Sequence, residues 1–240
     1  SYLDIIRKLN SKYNYNVAIL ADLQGPKIRI GELEENINLN KGDEISVNSG
    51  KSFIGNKNGI HINYKQFPRD VKTGDQVLID DGKYTFEVIR TNNKDKATLK
   101  ALNKACLKSR KGVNLPETKI STPSLTTKDI KDVKFAISLD VDWIALSFVR
   151  HGKDLIALKK IIDKLSDAKL SKAKIPIIAK IEKPEALDNI DSIIKHADGI
   201  MVARGDLGIE IPSQEVPLIQ KKLVHLSKKA RIPVIIATQM

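Results

Sequence analysis

Short apolar runs alternate with amphipathic stretches through the second half of the chain. Four of these runs predict buried strands, and they occupy residues 141–149, 175–181, 199–203 and 232–238. Apolar residues recur at helical spacing over residues 155–165 and again over residues 216–230, which predicts helices between the strands. The alternation favours repeated strand-helix units built around a parallel sheet.

The opening of the chain follows the same pattern. Residues 3–9 predict a helix, and residues 17–23 predict a strand that is interrupted only by Asp22. Residues 125–139 predict a further helix, with Ser124 or Thr126 available to cap its first turn. We therefore expect five buried strands of the parallel type.

The region between these parts, residues 30–113, has a different character. Glycines are frequent, and polar and apolar residues alternate over residues 75–80 and 84–90, which predicts short antiparallel strands joined by turns. We interpret it as an all-β domain inserted between two strands of an α/β barrel. A doubly wound sheet has the same local periodicity, so the pattern alone leaves that alternative open.

The composition is typical of a soluble globular protein, since 41% of the 240 residues are hydrophobic and 29% are charged. No apolar stretch is long enough to span a bilayer, so we expect no membrane partner. A single cysteine, Cys106, excludes an internal disulfide framework, and no Cys/His group has zinc-binding spacing. We expect a reducing compartment, by default the cytoplasm. The segment that begins at Ser1 is not leader-like, but a targeting segment could lie outside the chain, so an organelle stays open.

The net charge of +12 allows nucleic acid, an anionic membrane or phosphorylated small molecules as partners. Much of the excess is lysine on predicted helices, such as Lys159, Lys160 and Lys164, without aromatic residues for base stacking. We interpret these lysines as a solvated surface and expect no nucleic acid. A protein that binds nucleic acid or an anionic surface and is built on an inactive barrel is the alternative, and steeply salt-dependent RNA binding would support it.

Candidate chemistry lies where the apolar strands end. Lys180 and Glu182 are two residues apart, so both project from one face of the sheet. Asp206 follows the next strand, and the carboxyl ends of parallel strands form the active face of a barrel. Glu182 and Asp206 would suit Mg²⁺, and Lys180 beside that metal would hold a phosphoryl group in transfer.

Each candidate also has a simpler interpretation. Lys180 and Glu182 could form a local ion pair at the end of a strand. The glycines of residues 205–208 could serve only a tight connection, although a helix start there offers N–H groups to a carboxylate or phosphate. Residues 204–206 spell an adhesion tripeptide, which their position directly after a buried strand disfavours. Thr238 could reflect ordinary strand propensity.

Two long segments of the chain carry specific motifs, at residues 175–187 (IPIIAKIEKPEAL) and 198–212 (DGIMVARGDLGIEIP). The first resembles the active-site signature of the pyruvate kinase family, and the second is similar to that family's next strand and turn. Shorter similar segments follow the family's order, at residues 21–29 (ADLQGPKIR), 77–82 (VLIDDG), 111–116 (KGVNLP) and 237–240 (ATQM). Together the segments extend over nearly the whole chain.

The resemblance implies an α/β fold, an incomplete TIM (β/α)₈ barrel with a β-rich lid domain inserted after its third strand. Residues 1–29 would hold a helix and the third strand, residues 30–112 the lid, and residues 113–240 strands four to seven. Two earlier strands and the last one would then lie outside the chain. We therefore expect this fragment alone to be inactive and the parent enzyme to be a homotetramer.

The resemblance also implies a glycolytic reaction in which phosphoenolpyruvate passes its phosphoryl group to ADP, giving pyruvate and ATP, with Mg²⁺ or Mn²⁺ bound. Glu182 and Asp206 match the metal ligands, and Lys180 matches the residue that stabilises the phosphoryl group. The amides of Gly205 and Asp206, with Thr238, match the cradle for the substrate carboxylate. Thr238 also matches the position that relays a proton to the enolate carbon.

Arg29 and Lys111 match family positions near the nucleotide phosphates, and Asp22 matches an aspartate of a cation site. Many members read Asp-Thr-Lys-Gly-Pro-Glu where residues 22–27 read Asp-Leu-Gln-Gly-Pro-Lys. Members with that glutamate typically need K⁺, whereas the ammonium of Lys27 supplies a positive charge, so we expect K⁺ not to be required. An aldolase or mutase barrel acting on pyruvate or phosphoenolpyruvate is another alternative, which the lid and the full set of site residues disfavour.

Overall fold

The computed structural model describes residues 1–165 and 175–237, and the chain divides into two compact units. The described part of the first unit comprises residues 1–25, 124–165, 175–203 and 218–237. The second unit comprises residues 26–123 and 204–217. Residues 204–217 therefore group with the β-rich region, and the three-part division inferred from the sequence stays a prediction.

The elements follow each other in regular order along the chain. The strands are β1 (Leu20–Leu23), β2 (Ile37–Leu39), β3 (Glu44–Asn48), β4 (Ile60–His61), β5 (Gln76–Ile79), β6 (Tyr84–Thr91), β7 (Lys96–Ala101), β8 (Ala105–Leu107), β9 (Val113–Asn114), β10 (Trp143–Leu146), β11 (Ile177–Ile181), β12 (Gly199–Ala203) and β13 (Val234–Ala237). The helices are α1 (Tyr2–Tyr13), α2 (Phe67–Asp70), α3 (Thr127–Ser138), α4 (Gly152–Leu165), α5 (Pro184–Asp188), α6 (Ile190–His196), α7 (Arg204–Glu210) and α8 (Val216–Ala230). A 3₁₀ turn occupies Ser213–Glu215.

The first unit is built on a parallel sheet with strand order β1, β10, β11, β12, β13. The five predicted strands are confirmed, although all except β12 are shorter than their apolar runs. The edge strands β1 and β13 are largely exposed or half-buried, so the expectation that all five are buried was wrong for these two. Strands β11 and β13 begin directly after Pro176 and Pro233, which lack an N–H to donate to a ladder. Neighbours in this sheet follow the order of the chain, whereas a doubly wound sheet reverses its order at a switch point. The sequential order is typical of a barrel.

Helices cover the parallel sheet through the apolar faces predicted from their spacing. Leu155, Leu158 and Ile162 of α4 are buried, and Leu223 of α8 is buried in the same cluster. Helix α3 is capped by Thr126, whose hydroxyl accepts from the Asp129 amide at 3.1 Å. The other predicted cap, Ser124, instead donates to the Phe148 carbonyl at 3.0 Å. The sequence therefore located α3 but did not show whether Ser124 or Thr126 caps it, which depends on the packing of Ser124 against Phe148.

The second unit contains a six-stranded sheet with order β4, β3, β7, β6, β5, β9 and a two-stranded sheet of β2 and β8. These pairs are antiparallel, as predicted, with one correction: β3 and β4 are parallel, with Val47 opposite Ile60. A parallel pair needs a connection that returns to the same end of the sheet, and residues 49–59 provide it. Alternate residues along the strands are buried, including Val77, Phe86, Val88 and Leu99.

Within the described residues, no helix is both long enough and apolar enough to cross a membrane.

Candidate functional site

Three neighbouring strands of the first unit bring polar side chains together at their carboxyl ends. Strand β10 lies between β1 and β11, with Asp22 near the end of β1 and Lys180 near the end of β11. Ser147 follows β10 directly. Lys180 Nζ lies 3.0 and 3.1 Å from the two carboxylate oxygens of Asp22 and donates to Ser147 Oγ at 2.9 Å. The long lysine side chain therefore links β11 to β1 across the end of β10.

Glu182 completes this group of side chains. Its Oε1 lies 3.1 Å from Lys180 Nζ. The shared face predicted from their two-residue spacing is confirmed, and the two side chains also form the ion pair of the simpler interpretation. Its Oε2 accepts from the Phe148 amide at 2.9 Å. The Glu182 side chain is only 2% exposed and that of Lys180 is 13% exposed, so this ion pair is shielded from solvent. We call Asp22, Ser147, Lys180 and Glu182 the lysine cluster.

The backbone at Phe148 is held in an unfavourable conformation beside the lysine cluster. Its φ is +54°, in the left-handed region that a bulky residue seldom adopts. Both backbone polar groups are fixed, because the amide donates to Glu182 and the carbonyl accepts from Ser124. Gly25 packs alongside, and a Cβ added there would lie 2.8 Å from Phe148 Cδ2. Such over-determined strain is found mainly at functional sites.

Opposing influences act on the ammonium of Lys180. Burial lowers its pKa, while the carboxylates of Glu182 and Asp22 raise it, and the carboxylates prevail. The pKa of Lys180 therefore lies above its ordinary value of 10.5, and the side chain stays protonated at neutral pH. The lysine cluster holds a permanent cation between two carboxylates.

Helix α7 carries two further predicted residues in the second unit. It begins immediately after β12, so Gly205 and Asp206 lie in its first turn. The amides of a first helical turn have no carbonyl partner within the helix and can bind an anion. At the other end of α7, Oε1 of the buried Glu210 accepts from Asn114 Nδ2 at 2.8 Å. The glycine-rich segment is therefore a helix start, not only a tight turn.

Arg29 and Lys111 come together on two adjoining segments of the second unit. Arg29 forms an antiparallel bridge with Gly112, and the Ile30 amide donates to the Lys111 carbonyl at 3.0 Å. Arg29 Nη1 donates to the Arg110 carbonyl at 2.9 Å. Lys111 Nζ lies 2.7 Å from Asp80 Oδ1, and this hydrogen bond raises the pKa of Lys111. The two predicted nucleotide-binding residues therefore occupy one region.

The predicted metal ligands belong to different units, Glu182 to the first and Asp206 to the second. Thr238, predicted to hold the substrate carboxylate and relay a proton, lies outside the described residues. Across residues 1–165 and 175–237, no group of three or more His, Cys, Asp or Glu side chains could hold a metal ion.

Sequence reasoning missed Ser147, Phe148 and Asp129. The Asp129 carboxylate, fully buried, accepts from the Thr126 amide at 2.8 Å and from the Gly25 amide at 3.0 Å, so it joins the start of α3 to the loop after β1. A serine directly after an apolar strand was the available signal for Ser147. No local pattern shows that its hydroxyl meets Lys180, because the two residues are 33 positions apart.

A family profile described as the pyruvate kinase barrel domain matches residues 1–240. The pyruvate kinase of Thermotoga maritima is 42% identical over 236 residues, covering 98% of this chain and 49% of that protein. The pyruvate kinase of Staphylococcus epidermidis is 41% identical over 241 residues, covering 99% of this chain and 40% of that protein. The chain thus spans about half the length, or less, of these curated relatives.

The fold supports the same relationship. The crystal structure of a pyruvate kinase from Cryptosporidium parvum superposes with a TM-score of 0.91 at 38% sequence identity. The superposition covers 99% of this chain and 49% of the other. Sequence similarity and fold similarity therefore both extend across nearly all of these 240 residues, and the chain belongs to the pyruvate kinase family.

Proposed function

We propose that the protein containing this chain transfers the phosphoryl group of phosphoenolpyruvate to ADP, giving pyruvate and ATP in glycolysis. The observation that carries the proposal is the lysine cluster, in which a protonated Lys180 lies at the carboxyl ends of three parallel strands. Lysine in such a position neutralises negative charge on a phosphoryl group during transfer. Family membership supplies the substrates.

In this reaction the bond between phosphorus and the enol oxygen of phosphoenolpyruvate breaks. A bond forms between phosphorus and a β-phosphate oxygen of ADP, and the enolate left behind takes up a proton at carbon to give pyruvate. Lys180 is the residue that would face the transferring group. Asp22, Ser147 and Glu182 hold its Nζ within 3.1 Å, so the ammonium is oriented before substrate arrives.

Glu182 and Asp206 would hold Mg²⁺ or Mn²⁺. Carboxylate oxygen suits such a hard cation, and Mg²⁺ in phosphoryl-transfer sites is typically bound by one or two carboxylates plus substrate oxygens. Two protein carboxylates fit that requirement. When bound, the metal would neutralise phosphate charge and orient the phosphates.

Gly205 and Asp206 would bind the substrate carboxylate through the amides of the first turn of α7. Thr238 would complete that cradle and relay the proton to the enolate carbon. Arg29 and Lys111 would contact the nucleotide phosphates from their shared region of the second unit. The β-rich residues 30–112 would act as a lid that excludes water, which competes with ADP for the phosphoryl group.

This chain would supply part of a (β/α)₈ barrel with an inserted β-rich lid, and the rest of the complete protein would close the barrel. The complete protein would assemble as a homotetramer in the cytoplasm. We propose that it does not require K⁺. Asp22, at a family cation position, already contacts Lys180, and Lys27 provides a charge near the end of the same loop. Activity that rises steeply with K⁺ at constant ionic strength would contradict this.

The proposal is tested by assaying the full-length protein that contains this chain. Phosphoenolpyruvate, ADP and Mg²⁺ are supplied, and pyruvate formation is coupled to lactate dehydrogenase and NADH oxidation. We expect turnover that needs all three components and is the same in K⁺ and in a non-binding cation at equal ionic strength. A folded protein that makes no pyruvate would refute the proposed function. Turnover only in K⁺ would refute the cation assignment alone.

A further inference from the structure

A buried hydrogen bond joins α7 to the six-stranded sheet of the second unit. Asn114 lies in β9, where it pairs with Leu78 of β5. Its Nδ2 donates to Oε1 of Glu210 at 2.8 Å, and Glu210 is only 5% exposed. A hydrogen bond to a buried carboxylate is stronger than one between neutral groups. The last residue of α7 is therefore fixed to β9.

The hairpin between β5 and β6 contacts the same helix. Gly82 in this hairpin has a φ of +83°, and a Cβ added there would lie 3.5 Å from Ile209 Cγ2. Asp80, two residues earlier in the hairpin, forms the ion pair with Lys111. One hairpin thus contacts both α7 and the lysine that we assign to the nucleotide.

Helix geometry connects Glu210 to the proposed metal ligand. Asp206 and Glu210 are four residues apart in α7, so they lie on the same side of the helix one turn apart. Because a short helix moves as a rigid element, a shift at Glu210 moves Asp206 and the first-turn amides with it. A shift of the segment 111–114 would therefore reach the start of α7 through Asn114 and Glu210.

We propose that Asn114 and Glu210 are positioning residues that couple nucleotide binding to binding of the metal and the substrate carboxylate. This inference rests on the proposed function, since it takes Lys111 and Asp206 as contacts to ligands. Neither Asn114 nor Glu210 needs to touch a ligand. Their hydrogen bond makes the region around Lys111 and helix α7 respond together, so each ligand strengthens binding of the other.

The coupling is measured in the full-length protein by calorimetry with Mg²⁺, ADP and pyruvate, which do not react together. The dissociation constant of ADP without pyruvate, divided by that with pyruvate, gives the coupling ratio. Turnover with phosphoenolpyruvate and ADP is measured separately and tests the proposed function. We expect a wild-type ratio of at least about fivefold, at the lower end of typical allosteric coupling. Turnover with a wild-type ratio of one would overturn the inference and leave the proposed function intact.

The Asn114→Asp substitution faces Glu210 with a second carboxylate, and we expect the coupling ratio to fall about fivefold. Glu210→Gln in the same chain supplies an amide donor to the new aspartate, so the double variant should recover most of the ratio. Glu210→Gln alone controls for the other contacts of Glu210. If Asn114→Asp does not fold, Asn114→Ala, which removes the donor without adding charge, is measured in its place.

Asn56→Ala is the matched control, because Asn56 Nδ2 donates to Glu34 Oε1 at 3.3 Å in the same unit but at an exposed position. It should leave the coupling ratio unchanged. A ratio that stays at the wild-type value in the folded Asn114 variant would overturn the inference. Equal loss in the Asn56 and Asn114 variants, or no recovery in the double variant, would also overturn it, because the effect would then reflect general destabilisation.

Discussion

Lys180 and Lys111 are both paired with carboxylates, but their surroundings differ. The Lys180 side chain is 13% exposed and is held by Asp22, Ser147 and Glu182, which come from three separate parts of the chain. The Lys111 side chain is 38% exposed and pairs with Asp80 in a hairpin. A shielded charge with several fixed partners keeps its orientation, whereas an exposed pair is weakened by water and salt.

This difference in exposure and in number of partners suggests that the two lysines would interact with phosphate groups in different ways. The lysine cluster is preorganised, since three side chains fix the Lys180 ammonium, and under the proposed function its charge would need little rearrangement when the phosphoryl group is transferred. Lys111 is not held by several partners in this way, and its exposed ion pair with Asp80 could be exchanged for a ligand at small energetic cost. We therefore expect the lysine cluster to govern the chemical step and the region around Lys111 to govern nucleotide affinity.

The largest expected effect is that of Lys180→Met in the full-length protein. Removing the cation should lower kcat at least about a thousandfold, as loss of a charged group that stabilises phosphoryl transfer does. Mn²⁺ binding, measured by electron paramagnetic resonance, should persist because Glu182 and Asp206 remain. Lys159→Met is the control, since Lys159 forms an exposed pair with Asp198 at 3.5 Å. Full activity in Lys180→Met would sink the assignment.

A smaller effect is expected from Ser147→Ala, which removes one acceptor from Lys180 Nζ and leaves both carboxylates. We expect kcat to fall about tenfold with little change in the KM for ADP, as for residues that orient a catalytic group. Ser138→Ala, which removes an exposed hydroxyl bonded to the Phe135 carbonyl, should have wild-type kinetics. If Ser147→Ala changed only the KM for ADP, the lysine cluster would not govern the chemical step separately from the region around Lys111.

Lys111→Met should act on affinity. We expect the KM for ADP to rise about fivefold at low salt while kcat changes little, because an exposed ion pair is weak. The difference from wild type should shrink as ionic strength rises. Lys104→Met, at another exposed position of the same unit, should leave the KM for ADP unchanged. A loss of kcat as large as that of Lys180→Met would remove the distinction between the two lysines.

The smallest effect concerns stability at high pH. The pKa of Lys180 is raised in the folded state, so the folded protein holds this proton more tightly than the unfolded chain does. The stability that Lys180 adds to the folded state is fully present below pH 10.5, the ordinary pKa of lysine. It is lost as the pH rises through the pKa of Lys180 in the folded state. Urea unfolding at pH 9 and pH 11 should show a steeper decline in the wild type than in Lys180→Met. Equal declines would show that the cluster does not hold the proton.

Local patterns were sufficient for much of this molecule. Continuous apolar runs located the five strands of the parallel sheet. Burial on both faces explains the runs in β10, β11 and β12, whereas β1 and β13 at the edges of the sheet are partly exposed. Helical spacing located α3, α4 and α8, because apolar residues on one face of each helix pack against the core of the first unit. The contact between Lys180 and Glu182 followed from strand periodicity, since residues two apart project from one face. The parallel pairing of β3 and β4 was missed because pairing direction depends on the path of the connection.

The sequence by itself therefore determined the alternation of strands and helices, the candidate lysine and carboxylates, and the resemblance to a family. Only the tertiary structure decided which partners Lys180 has. Asp22 is 158 positions from Lys180 in the sequence. The two side chains meet because β10 alone separates β1 from β11 in the sheet. Ser147 and the left-handed Phe148 take part for the same reason. Periodicity reports which face a residue occupies, whereas contacts between distant segments depend on strand order and register, which no local pattern contains.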